Sequence, residues 1–373
     1  MNLGLVEKIA NTVLYEGYIL YPYRPSSVKN QQRFNFGALY PEAYSVAGGG
    51  TDAWAMQTEC LVLGTERTML DVKVRFLHLL AREVGKLANP SPEWQEDAPT
   101  PDYSAVAALE VGDRLFQTWQ EAVERDVTLA SLALGELAVE QRRITFAFPS
   151  KEEIEPISTP EGQVIGVLVR KQQAIEGAVE LRIADLGSQV DDTERLSFDT
   201  QSENGGPRPA RLFKLTIRIL NATPLDDAAA KSRDEALMHT LASTHTILGV
   251  REGEFVSLLD PPEALRETAA SCRNAGTWPV LVGVEGERNM MLSSPIILYD
   301  YPQVAPESGG DLFDATEIDE ILTLRIMTLT DVEKREMRGA DERARQMLER
   351  TETLAPEQLM KLHGAIKKVK VKG

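Results

Sequence analysis

The ten residues RLFKLTIRIL, Arg211 to Leu220, decide the fold class. Phe213, Leu215, Ile217 and Ile219 fall on one side of an extended chain, with Lys214, Thr216 and Arg218 on the other. A period of two with one apolar side marks a half-buried antiparallel strand. The same alternation recurs in DVKVRF at Val72, Val74 and Phe76, and in GAVELRI at Val179, Leu181 and Ile183. ITFAF and VIGVLV are further strands, and Tyr15 to Tyr21 reads as another that leads into a long hairpin loop. These runs predict an N-terminal antiparallel β-sandwich or barrel-like domain over residues 1–222. It is interrupted by two loops rich in Pro, Gly and acid, ANPSPEWQEDAPTPDYS and DTQSENGGPRPA. Between them GDRLFQTWQEAVERD spaces Leu115, Trp119 and Val123 four apart, which predicts an amphipathic helix.

After Thr223 the periodicity changes. DDAAAKSRDEALMHTLASTHTIL reads as a helix with Leu237, Leu241, His245 and Leu248 on one face. DPPEALRETAASCRNAG reads as another, with Asp260 as N-cap and Gly276 as its stop. WPVLVG and PIILY are short apolar runs suited to buried strands. Thr330 to Glu333 has the form of a capping box, and Pro356 opens a last helix before a basic tail. The expected class is α+β: the β-rich domain, an α/β region over 223–315 and a helical segment over 316–373.

Composition limits the function. The formal net charge of −17 opposes generic nucleic-acid binding, which needs Lys and Arg against phosphates, and opposes adsorption to an anionic membrane. Two cysteines, Cys60 and Cys272, form no disulfide framework, a usage suited to the reducing cytoplasm. No secretion signal is read, and no apolar run approaches the ~20 residues needed to span a membrane. The sequon at Asn221 is followed by Pro224, the mark of a strand end and not of a glycosylated loop.

Most catalytic signatures do not occur. There is no G-x-G-x-x-G, no G-x-x-x-x-G-K-[ST], no G-x-S-x-G, no H-E-x-x-H and no C-x-x-C. Of the four histidines, His78 and His245 occupy apolar settings that favour a core role. His363 lies near the end of the last helix.

Two segments stand apart. Gly17 to Pro41 has no acid, three bases (Arg24, Lys29 and Arg33) and aromatics that include Tyr21 and Tyr23. Arg and Tyr are favoured interface residues. From Asn289 to Leu324 there is no positive side chain, and Asp300, Glu307, Asp311 and Asp314 precede the carboxylates of a helix N-terminus at Glu317, Asp319 and Glu320. Tyr21, Tyr23, Arg24, Lys29, Arg33, Asp300, Asp311 and Asp314 are therefore partner-docking candidates. A divalent metal held by His239, His245, Asp300 and Glu307 is the alternative, and would serve hydrolysis or metal delivery. Without it no cofactor is expected.

The phrases LYPYR, SSVKNQQRFNFG, GEFVSLLDPP, GTWPVLVG, SSPIILYDYPQVAPES and DLFDATEIDEILTLRIMTLTDVEK together resemble proteins encoded beside nickel–iron hydrogenases. The resemblance runs nearly end to end and implies an accessory, assembly or maturation role with a hydrogenase subunit or precursor as partner. It brings no catalytic residues to carry over. The chain is unlike a hydrogenase catalytic subunit, which needs paired C-x-x-C ligands. The expectation is a non-catalytic, protein-binding accessory protein.

Overall fold

The computed structural model of the protein describes residues 3–16, 37–92, 94, 101–112, 114–188, 210–302, 326, 329–340, 345, 348–349 and 351–353. Helices α1 (Leu3–Glu16) and α2 (Glu42–Ala47) precede β1 (Ala55–Ser91), a strand of 37 residues. Next come β2 (Tyr103–Val106), β3 (Ala108–Val111), β4 (Arg114–Gln117), β5 (Trp119–Ala133) and the short α3 (Leu134–Val139). They are followed by β6 (Arg142–Phe148), β7 (Lys151–Ser158), β8 (Val164–Gln172), β9 (Ile175–Asp185) and β10 (Arg211–Asn221). The remainder holds α4 (Arg233–Leu237), β11 (Ala242–Val256), α5 (Arg266–Ala270), β12 (Trp278–Leu281), β13 (Met290–Ser294) and α6 (Asp331–Ala340).

The described chain is mostly antiparallel sheet with a minority of helix, as the α+β class requires. Eleven strands share one sheet, and β3 and β4 form a separate ribbon. β1 organises the sheet. Its first part pairs with β10 and β11, its middle with β11 and β5, and its last part with β2 and β8. β11 joins the sheet beside β10 through β1, so hydrogen bonding runs continuously across the 222/223 boundary expected from the change of period.

The segments 142–158 and 164–185 keep one register, from Arg142 opposite Leu181 to Ile157 opposite Gly166. They are a single bent hairpin, closed where Thr159 N–H donates to the Gln163 carbonyl at 2.8 Å. Its inner arm meets β1 through β8 and meets β10 through β9. The sheet therefore bends around a common core.

That core takes Val62, Val72, Val74 and Phe76 from β1, Val179, Leu181 and Ile183 from β9, and Phe213, Leu215, Ile217 and Ile219 from β10. Each such side chain contributes about 1.5–3 kcal/mol on burial. The alternation read in RLFKLTIRIL, DVKVRF and GAVELRI is thus the inward set. α1 adds Val6, Ile9 and Ala10 to a second cluster with Ile247, Val280 and Leu292.

Four expectations need correction. GDRLFQTWQEAVERD is not a helix: it holds β4 and much of β5, which pairs with β1 from Met69–Ala133 to Arg82–Trp119. A spacing of four is even, so it also keeps residues on one side of a strand. DDAAAKSRDEALMHTLASTHTIL is helical only at α4, and its second half enters β11. β11 is buried on both sides from Ala242 to Val250, which erases the alternation that would have identified it. PIILY is not a strand: it bends at Pro295 and Ile296 and pairs with no strand among the described residues, and the strand is the preceding Met290–Ser294. The strand expected from Tyr15 is replaced, at least through Glu16, by α1.

Other expectations hold. The capping box is present: Thr330 N–H donates to Glu333 Oε2 at 2.7 Å, and Glu333 N–H to Thr330 Oγ1 at 3.3 Å. Asn221 of the sequon is fully buried, with Nδ2 donating to the Leu39 and His239 carbonyls. DPPEALRETAASCRNAG holds only in part: it is helical as a 3-10 turn at Glu263–Leu265 and α5, but Pro262 and Leu265, not Asp260, stand at the N-cap positions, and α5 ends at Ala270, before Gly276.

Candidate functional site

The alternation that builds the core also builds its opposite face. Outward from the core point Gln57 and Glu59 on β1, Lys214, Thr216 and Arg218 on β10, and Glu180 and Arg182 on β9. With Gln141 and Ala184 they line a concave surface of about 390 Å³. Strand register sets its order. Gln57, Arg218, Glu180 and Arg143 form one row across β1, β10, β9 and β6, and Glu59, Thr216 and Arg182 form the next.

Charge is paired along these rows. Lys214 Nζ lies 2.6 Å from Glu59 Oε2 and donates to the Ser271 carbonyl at 3.1 Å. Glu59 also accepts from the Arg273 N–H at 2.7 Å and from Thr216 Oγ1 at 3.3 Å. Burial alone would raise the Glu59 pKa, but the Lys214 hydrogen bond, the Arg273 N–H and the Lys214 charge outweigh it and lower the value. Glu180 takes two guanidiniums, Arg218 at 2.9 Å and Arg143. Arg182 is exposed and has no carboxylate partner among the described residues. The face carries an excess of cations within a strongly acidic chain. It presents charged and hydrogen-bonding side chains, no His, Cys or Ser side chain lines it, and Glu59 is held ionised.

The histidines and cysteines lie elsewhere. His245 is fully buried, with Nδ1 donating to the Ser243 carbonyl at 3.0 Å, and burial pushes its pKa down to about 4. His78 is also fully buried, with Nε2 donating to the Gln173 carbonyl at 2.9 Å, and burial again pushes its pKa down to about 4. His239 is half-buried and depressed by desolvation. Burial pushes the Cys60 and Cys272 thiols up, away from the thiolate.

Of the four metal-ligand candidates, three are described, and each has its own neighbours. His245 faces Arg75 and Glu124, and His239 faces the Ala174 backbone. Asp300 braces a loop: Oδ2 accepts from Ser257 Oγ at 2.5 Å and Oδ1 from the Leu281 N–H at 2.8 Å. No group of three His, Cys, Asp or Glu side chains among the described residues is arranged to hold a metal. Glu307, Asp311 and Asp314, and Tyr21, Tyr23, Arg24, Lys29 and Arg33, lie outside the described residues.

Reading the sequence placed Lys214, Thr216 and Arg218 on an outward face but did not join them to Glu59, Glu180 and Arg182. The signal was the charge on outward positions of three separate strands, and it becomes a site only once strand order is known. No helix among the described residues is long and apolar enough to cross a membrane. No protein-family model and no curated protein matches the chain.

Proposed function

We propose that the protein is a non-catalytic accessory protein that binds another protein in a nickel–iron hydrogenase system, during assembly or maturation. The observation that carries the non-catalytic part is the state of the reactive side chains. His78, His245 and Cys60 are sealed in the core, and the concave charged face offers paired ions and amides. The resemblance of its sequence phrases to proteins encoded beside such hydrogenases supports the choice of system. Glu307, Asp311 and Asp314, with Tyr21, Tyr23, Arg24, Lys29 and Arg33, are the proposed docking elements, because Asp300 is already engaged by Ser257 and Leu281 and the segment from Ala38 to Pro41 is buried. Complementary fields at such surfaces set orientation and association rate.

Size-exclusion chromatography tests the reading. The purified protein is mixed with the large-subunit precursor and the small subunit of a nickel–iron hydrogenase from its source organism. Co-elution with one of them is expected, weakening as salt rises. Separate elution of every subunit at low salt would overturn the proposal.

A further inference from the structure

β6 is the outermost strand on its side of the sheet. It pairs with β9 over all of Arg142–Phe148, and no other described strand lies beside it. Along the same hairpin arm β7 is guarded differently: Pro156 removes a backbone donor, and Lys151, Glu152, Glu153 and Glu155 crowd it with charge. Prolines and charges are what proteins place on strand edges to stop another strand adding. β6 has none of these devices between Ile144 and Phe148.

The two faces of β6 specify what would fit. Ile144, Phe146 and Phe148 point to the core but stay only partly buried, and of the three Phe148 is already overlaid by the Arg125 guanidinium of β5 at 4.9 Å. On the other face Arg143, Thr145 and Ala147 are exposed. Arg143 ends the row Gln57, Arg218, Glu180, Arg143, in which one carboxylate already serves two guanidiniums. The unpaired Arg182 stands in the next row. The sequence of charges therefore calls for a carboxylate in the position beyond Arg143.

We infer that β6 is a strand-addition site for an extended segment of a partner protein that alternates apolar and acidic residues. Apolar side chains of the added strand cover Ile144 and Phe146, a carboxylate on its outward face meets Arg143 across the new pair, and its backbone pairs with the open edge. A second copy of this chain fits less well. Its own β6 carries no acid on the exposed face, and two chains of net charge −17 repel. The inference rests on the protein-binding reading above and adds the partner's local chemistry.

The test uses the full chain and two labelled peptides, acetyl-(Val-Glu)4-amide and acetyl-(Val-Lys)4-amide, followed by fluorescence anisotropy and by hydrogen exchange of the 142–148 amides. The acidic peptide is expected to bind at low salt and to slow exchange across β6. Arg143→Glu should weaken it at least tenfold and favour the basic peptide. Thr145→Glu, on the same exposed face of β6 as Arg143, repeats the measurement should the first variant fail to fold. The inference is overturned if the acidic peptide leaves β6 exchange unchanged, if both peptides bind alike, or if the folded charge-reversed chain keeps wild-type affinity. It is equally overturned if sedimentation shows a self-dimer that protects β6. Co-elution with a hydrogenase subunit that Arg143→Glu leaves intact would sink this site while sparing the proposed function. Peptide capture without any such co-elution would do the reverse.

Discussion

His245 shows how a residue that looks functional becomes structural. It sits on β11 beside Arg75, whose guanidinium is tied to Asn11 Oδ1 at 2.8 Å and Glu124 Oε2 at 2.9 Å. A protonated imidazole there would lose its hydration and face a second cation, so the neutral form is favoured. His78 is depressed chiefly by desolvation as well, with Arg125 adding to the shift. Both values fall from an ordinary 6.5 to about 4, so the unfolded chain takes up these protons first. Stability is then complete above about pH 6.5 and declines as pH falls toward 4, by roughly 2–3 kcal/mol per histidine. Glu59, lowered from 4.5, keeps its contribution until the pH falls to about 4.5, where its unfolded carboxyl begins to take up a proton, so the histidine decline above that pH is free of it. Urea midpoints between pH 7.5 and 4.5 should show the decline. His245→Ala should cost about 1–3 kcal/mol at pH 7.5 and flatten the decline by about half. A variant with the wild-type slope would remove His245 from the account.

At the scale of elements, α6 is held by close backbone approach and not by an apolar face alone. Arg82 Nη2 donates to the Gly339 carbonyl at 2.5 Å, and Arg335 pairs with Glu110 at 2.8 Å. A Cβ on Gly339 would fall 1.7 Å from the Leu115 carbonyl oxygen of β4. Gly339→Ala should therefore cost about 1–3 kcal/mol of docking, although Gly to Ala in a free helix gains up to ~1 kcal/mol. Faster hydrogen exchange in α6 with an unchanged sheet is the expected result, and slower exchange in α6 would contradict it. The helix itself was legible, since its capping box is written in Thr330 and Glu333. β10 was legible too, because one side meets the core and the other meets solvent. β5 and β11 were not. Leu115, Trp119 and Val123 satisfy both periods, and β11 is buried on both faces. The charged concave face was half legible: Lys214 to Arg218 stood out in β10, but their register with Glu59 and Arg182 depends on pairings far apart in sequence.

Across the whole molecule, β1 decides whether residue 222 separates anything. Leu61 to Gly64 pair with both β10 and β11, and Met69 to Arg75 with both β11 and β5. Removing everything after 222 strips β11 from the middle of β1 and exposes Val72, Val74 and Phe76. The fragment 1–222 made alone should be aggregated or lack a cooperative unfolding transition, and co-expression with 223–373 should restore a soluble complex. A monomeric 1–222 fragment that unfolds cooperatively would show instead that the boundary is real.

The shared strand also has a history in time. Leu70 pairs with Leu132 on one side and with Val250 on the other, so its two partners leave the ribosome at very different moments. At synthesis rates of about 5–20 residues per second, β1 spends roughly ten seconds or more with one apolar edge unmatched. A nascent chain in that condition is a natural client for a holding chaperone, and the last sheet strands act as a late seal on a core laid down long before.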